Sequence, residues 1–162
     1  MLTKEYIKEL KGRGNGDIGQ LINKYQDSAS LTFILENLGQ LPKDFDGSFL
    51  QNLLLHKNSN VRLWAVKTIG KLVKEDYLPV LKNIATIDDD TNVRREAVSS
   101  IGRMRTKNGQ GILIEILQDN DPKVVCQAIR GLLVFKGESK IDDCLKSLVN
   151  HENEMVRTVI YK

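Results

Sequence analysis

The chain repeats itself every 31 or 32 residues. With Ser30, Val61, Val93 and Val124 taken as equivalent, residues 30–41, 61–72, 93–104 and 124–135 align without gaps, and a fifth copy opens at Val156. Four positions on stand Ile34, Ala65, Ala97, Ala128 and Ile160; eight on, Leu38, Ile69, Ile101 and Leu132; eleven on, Leu41, Leu72, Met104 and Phe135. Offsets 0, 4, 8 and 11 make one stripe at the 3.6-residue period, so each copy predicts an amphipathic helix with a single buried face. The small Ala at offset 4 suits close helix packing. A unit of this length cannot cover its own apolar face, and a chain of such units folds by stacking them around a continuous core.

A second, shorter apolar segment precedes each of these helices, at 18–25, 49–56, 78–87, 112–118 and 141–149. Between the two members stand Asn58, Ser59 and Asn60, then Asp89, Asp90, Thr91 and Asn92, then Asp119, Asn120, Asp121 and Pro122, then Glu152 and Asn153. Asx and Ser/Thr side chains there accept from the free amides of the following first turn, and Pro122 fits that turn because its missing N–H has no helical partner. The predicted unit is a helical hairpin, repeated at about 18–42, 46–74, 77–107, 110–137 and 140–162 after a capping helix within 1–14. The last copy stops inside its second helix. That predicts that these 162 residues are the N-terminal part of a longer protein, with a downstream domain on the same polypeptide.

Asn60-Val61-Arg62 with Ala65 and Ile69-Gly70, Asn92-Val93-Arg94 with Ala97 and Ile101-Gly102, Asp121-Pro122-Lys123-Val124 with Ala128, and Met155-Val156-Arg157 form a registered motif. In this motif the chain resembles the HEAT-repeat family, over about residues 18–162. The resemblance implies an all-α fold, a right-handed α-α superhelical solenoid of about five HEAT-like hairpins forming one domain, the last hairpin truncated. It implies that the second helices line a concave side. It also implies that Arg62, Arg94 and Arg157, at offset 1, build a structural ladder with acidic or amide residues of neighbouring repeats, interrupted where the fourth copy has Val125. The first copy departs from the pattern with Ser30-Leu31, as a terminal capping repeat does.

Nothing in the sequence specifies a catalytic centre, a metal or a cofactor. Gly14, Gly16 and Gly19 match G-x-G-x-x-G, but a helical pattern precedes them where a dinucleotide site needs a strand, so an interhelical loop is expected. Asp88, Asp90 and Asn92 have the spacing of a calcium loop without its Gly or its terminal Glu, and helix capping explains them better. His56 and His151 end the first helices of their hairpins, where an imidazole can hydrogen-bond to free carbonyls. Cys126 and Cys144 are expected as buried or half-buried thiols, and two cysteines build no disulfide framework. With no sequon, no apolar signal region and no stretch approaching the ~20 apolar residues of a membrane span, the expected setting is cytoplasmic, with no membrane partner. Trp64 and Phe33 share offset 3 in adjacent copies and are expected to pack on one another; Glu96 and Gln127 follow there, so no aromatic row continues.

The net charge of +3 conceals a segregation. Residues 60–74, 91–107 and 122–136 hold twelve Lys/Arg and one acid, Glu96, for +11, while the rest of the chain carries −8. Widening each window by one residue brings in three acids and leaves +8. At about 100° per residue, offsets 2, 6 and 10 oppose the apolar stripe. Under the resemblance, the concave surface bears Lys67, Lys71, Arg95, Arg103 and Arg130, with Lys74 and Arg105 at its edge. Such a surface offers non-specific attraction to phosphates or carboxylates.

The first expectation is therefore a non-catalytic recognition module for duplex DNA or another nucleic acid, as the N-terminal arm of a DNA-modifying enzyme. Residues 45–50 and 60–67 are similar to HEAT-like segments of bacterial DNA methyltransferases. The alternative is a protein–protein scaffold that takes an acidic peptide or helix. A third reading, an enzyme of the phycobilin-lyase or base-excision type, is disfavoured by the missing aromatic and carboxylate constellations.

Overall fold

The side chains between paired segments start the helices. The computed structural model describes residues 2–13 and 15–161, and every regular element among them is helical. Asp27 accepts from the Ser30 amide at 2.9 Å and opens α3 (Ser28–Glu36). Asn58 accepts from Asn60 and Val61 at the start of α4 (Ser59–Leu72). Asp90, Asp121 and Asn153 do the same for α6 (Thr91–Met104), α8 (Pro122–Leu132) and α10 (Glu154–Val159). Each cap satisfies amides that the first turn leaves without a helical partner, typically ~1 kcal/mol apiece.

The chain divides into two compact units, residues 1–72 and 73–162. In the first, α1 (Lys4–Arg13) packs on α2 (Asn15–Lys24), α3 packs on α4, and α4 packs on a 3-10 helix at Ser48–Leu55. The Lys11 ammonium ties this unit together by donating to the Leu38 and Gln40 carbonyls at 2.7 and 2.8 Å, beyond the end of α3. In the second unit, α5 (Leu78–Ile87) pairs with α6 and α7 (Lys107–Ile116) with α8, while α6, α8 and α10 stack in succession. A further helix, α9 (Ser139–Lys146), precedes α10.

The buried stripe is wider than offsets 0, 4, 8 and 11 suggest. Leu35, Val66, Val98 and Ile129, all at offset 5, are wholly buried as well. Thr68 and Ser100 at offset 7 are buried too, their hydroxyls donating to the carbonyls of Trp64 and Glu96 four residues back. This local bond removes the cost of burying a hydroxyl. Two second helices of unit two approach closely where Gly131 faces Gly102: a Cβ on Gly131 would lie 2.8 Å from Leu113 Cδ1 and 3.3 Å from Gly102 Cα.

Two elements differ from the sequence expectation. Residues 48–55 form a 3-10 helix, in which buried Leu50 and Leu53 eclipse one another at a spacing of three. The helix α7 begins five residues earlier than expected, because Thr106 accepts from the Gly109 amide at 3.0 Å and caps a glycine-containing turn that reads as loop.

Candidate functional site

Residues 56, 88, 119 and 151 are equivalent, each lying just past the first helix of a hairpin. All four accept the backbone amide two residues on: His56 Nδ1 from Asn58 and His151 Nδ1 from Asn153, both at 3.0 Å, Asp88 Oδ1 from Asp90 at 2.9 Å and Asp119 Oδ1 from Asp121 at 2.8 Å. The imidazoles thus act as acceptors of an amide, which corrects the expectation that they donate to helix carbonyls. Asp88 and Asp90 are likewise occupied by backbone amides, in keeping with their capping role.

The offset-1 arginines close the same turn from the other helix. Each reaches the carbonyl six residues back: Arg62 Nη1 to His56 at 2.8 Å, Arg94 Nη1 to Asp88 at 2.9 Å, and Arg157 Nη1 to His151 at 2.5 Å. Arg94 also crosses to the next hairpin, its Nε 3.2 Å from Asp119 Oδ2 and its Nη2 3.4 Å from Oδ1. With side chains only 16% and 11% exposed, this bidentate pair is shielded from solvent. The fourth copy has Val125, buried, at this position.

The basic residues at offsets 2, 6 and 10 meet different fates. In unit one, the Lys67 ammonium lies 4.8 Å from the centroid of the half-buried Trp64 ring, a cation–π contact. Trp64 therefore presents its ring to a cation, and among the described residues no ring–ring contact joins it to Phe33. Lys71 is exposed and donates to the Gly39 carbonyl at 3.3 Å, where Gly39 has φ +62°. Lys74 is half-buried just ahead of the 3-10 turn Glu75–Tyr77.

In unit two, Arg95 and Arg130 are exposed on the neighbouring helices α6 and α8. Cys126, also at offset 2, is buried, and burial pushes its thiol up while Arg130 and Arg95 pull it down. Both guanidinium groups therefore lie within electrostatic reach of the same buried thiol. Arg103 is exposed but leans on Glu96 Oε2 at 3.1 Å, so its charge is partly answered within the helix. Arg105 is exposed in the left-handed conformation that ends α6, φ 53°.

The G-x-G-x-x-G motif is not an interhelical loop over its described part. Gly16 and Gly19 lie inside α2, Gly19 against the Phe49 ring, and Gly14 lies outside the described residues. Among the described residues no group of three or more His, Cys, Asp or Glu is placed to hold a metal ion, and no helix is long and apolar enough to cross a membrane. Cys126 is a buried free thiol and Cys144 a half-buried one. The 45–50 segment is packing: Phe45 is buried edge-on to Phe49, with ring centroids 5.9 Å apart, and Leu50 is buried.

A family model describing HEAT repeats matches residues 34–102. Over those residues, a little under half of the chain, the sequence is similar to HEAT repeats. Solved structures extend the likeness over nearly its whole length. The CpcE–CpcF complex of phycocyanin lyase from Nostoc is similar with 23% identity and a TM-score of 0.72, over 90% of this chain and 96% of that one. The Escherichia coli protein YibA matches with 25% identity and a TM-score of 0.69, over 95% of this chain and 61% of that one. Armadillo repeat proteins designed for modular peptide recognition share 17% identity and a TM-score of 0.59, over 98% and 89%. No curated protein matches the sequence. The fold class is an all-α solenoid of HEAT-type hairpins, and the likeness to the lyase complex is one of fold alone.

Proposed function

We propose that this HEAT-repeat chain is a non-catalytic protein-interaction module that docks an acidic peptide or helix of a partner on the basic faces of its second helices. The observation that carries this reading is the pairing of exposed Arg95 and Arg130 on adjacent helices, with no carboxylate at offsets 2, 6 or 10 of the second, third and fourth copies. Arg103 contributes once Glu96 is displaced or shared. In the first unit Lys67 lies on Trp64, a cation backed by an aromatic plane, and Lys71 adds a further charge; in the second, Lys74 and Arg105 add theirs. The neighbours favour a protein partner: one is a complex of two proteins, another a scaffold designed for peptide recognition.

Duplex DNA is the second reading, favoured by the single sign of the face and by the ~8–10 Å spacing of packed helices, over which cations can follow a phosphate backbone. Attachment to a DNA methyltransferase rests on the resemblance of residues 45–50 and 60–67, which here serve packing. The two readings separate in one experiment. A fluorescent peptide rich in Asp and Glu and a fluorescent duplex are titrated side by side, against wild type and against Lys67→Ala/Arg103→Ala/Arg130→Ala. The peptide is expected to bind saturably and more tightly than the duplex at physiological salt, and to be lost in the triple variant. Tighter binding of the duplex transfers the assignment to nucleic acid; binding of the peptide that ignores the substitutions overturns it.

A further inference from the structure

The ladder of offset-1 arginines is interrupted once, and a cavity stands where it is interrupted. Three copies place a guanidinium on the carbonyl six residues back: Arg62 on His56, Arg94 on Asp88 and Arg157 on His151. In the fourth copy that carbonyl belongs to Asp119, the offset-1 residue is Val125, and among the described residues nothing donates to the Asp119 carbonyl. Beside it opens a cavity of about 550 Å³, between the turn of α7 and α8 and the turn before α10. Its volume falls within the ~300–1,000 Å³ of sites that hold small ligands or side chains.

The walls divide by chemistry. Val125, Pro122 and Leu148 give the lining apolar surface suited to the methylene stem of a long cationic residue, while Asp119 and Glu152 add acidic and carbonyl oxygen. His151 completes the rim, with Nδ1 already accepting from Asn153. The chain's own chemistry also shows what Asp119 binds: its carboxylate holds the Arg94 guanidinium through two contacts.

We propose that this cavity receives an arginine side chain of a partner protein, whose guanidinium takes on the Asp119 carbonyl the place that Arg62, Arg94 and Arg157 take on theirs. The planar fork satisfies the carbonyl and the Glu152 carboxylate together, which a lysine ammonium on a thinner, more strongly hydrated head does less well. The site lies at the inter-helix turns and uses none of Lys67, Lys71, Arg95, Arg103 or Arg130, so it stands apart from the basic face.

The probe is Nα-acetyl-arginine methylamide, titrated into the isotopically labelled chain with the Val125 methyls and the His151 ring as reporters, beside the lysine analogue. The arginine probe is expected to shift both reporters saturably, with a Kd on the order of 1 mM, and the lysine analogue to bind about tenfold more weakly. Val125→Arg fills the site from within, so probe binding is lost, followed at the His151 ring, while the melting temperature rises. Glu152→Gln, on an exposed side chain, keeps the fold and weakens the probe about tenfold, the size of one charge-assisted hydrogen bond. Arg95→Ala/Arg130→Ala leaves it unchanged, whatever becomes of the acidic peptide. Shifts that do not saturate, equal binding of the lysine analogue, or probe binding that persists in Val125→Arg and Glu152→Gln overturns the proposal.

Discussion

Single side chains here repeat a role more faithfully than a residue type. Positions 56, 88, 119 and 151 are His, Asp, Asp and His, yet each accepts the amide two residues on. The sequence shows the arginines plainly, because they recur at one offset; it hides their acceptor, because a carbonyl has no residue identity. Arg94 tests the role. Arg94→Ala removes the crossing to Asp119 and the donation to Asp88, and is expected to cost about 2–4 kcal/mol in denaturant unfolding, since it strands a shielded carboxylate. A double-mutant cycle with Asp119→Ala is expected to recover at least about 1 kcal/mol as coupling; additive losses contradict the pairing.

The pH response also belongs to single residues. Hydrogen bonds from the Ser30 amide and hydroxyl hold the Asp27 carboxyl below its usual range, and those from Lys107 and Gln110 do the same for Glu138. A carboxyl lowered by folding contributes stability that is fully present above its unfolded value and is lost as the pH falls through the folded one. The unfolding midpoint is therefore expected to hold steady down to about pH 5 and to fall below about pH 4, with Asp27→Asn blunting the fall. A midpoint unchanged down to about pH 2 contradicts this assignment.

At the scale of helices, periodicity made the second members legible and left the first members less so. Offsets 0, 4 and 8 mark α4, α6 and α8 because a 3.6-residue period runs for three turns. The segment at Ser48–Leu55 is too short for its period to distinguish 3-10 from α, and the glycines at 109 and 111 disguise the start of α7. The burial of offset 5 shows in the sequence only as four apolar residues beside the stripe of offsets 0, 4, 8 and 11. Gly131 was equally silent, because a close approach depends on the partner helix. Gly131→Val drives a branched side chain into Leu113 and the Gly102 backbone, and is expected to destabilise by about 1–3 kcal/mol through overpacking. A neutral or stabilising effect in thermal unfolding contradicts the tight crossing of α6 and α8.

For the whole molecule, the sequence made the fold legible through repetition and the candidate site only in outline. It placed positive charge on the second helices, but it did not show that Glu96 answers Arg103, that Trp64 backs Lys67, or that Cys126 is buried within electrostatic reach of two arginines. Those are relations between side chains several positions or a whole repeat apart. They narrow the proposed docking contacts in unit two to Arg95 and Arg130, the exposed pair on adjacent helices. The most direct test is the salt dependence of acidic-peptide binding, wild type against Arg95→Ala/Arg130→Ala. Log K is predicted to fall linearly with log[salt] for the wild type, and the double variant to bind more weakly with a flatter slope. Binding with no salt dependence, or the same slope and affinity in the double variant, would contradict the assignment of this face as the docking surface.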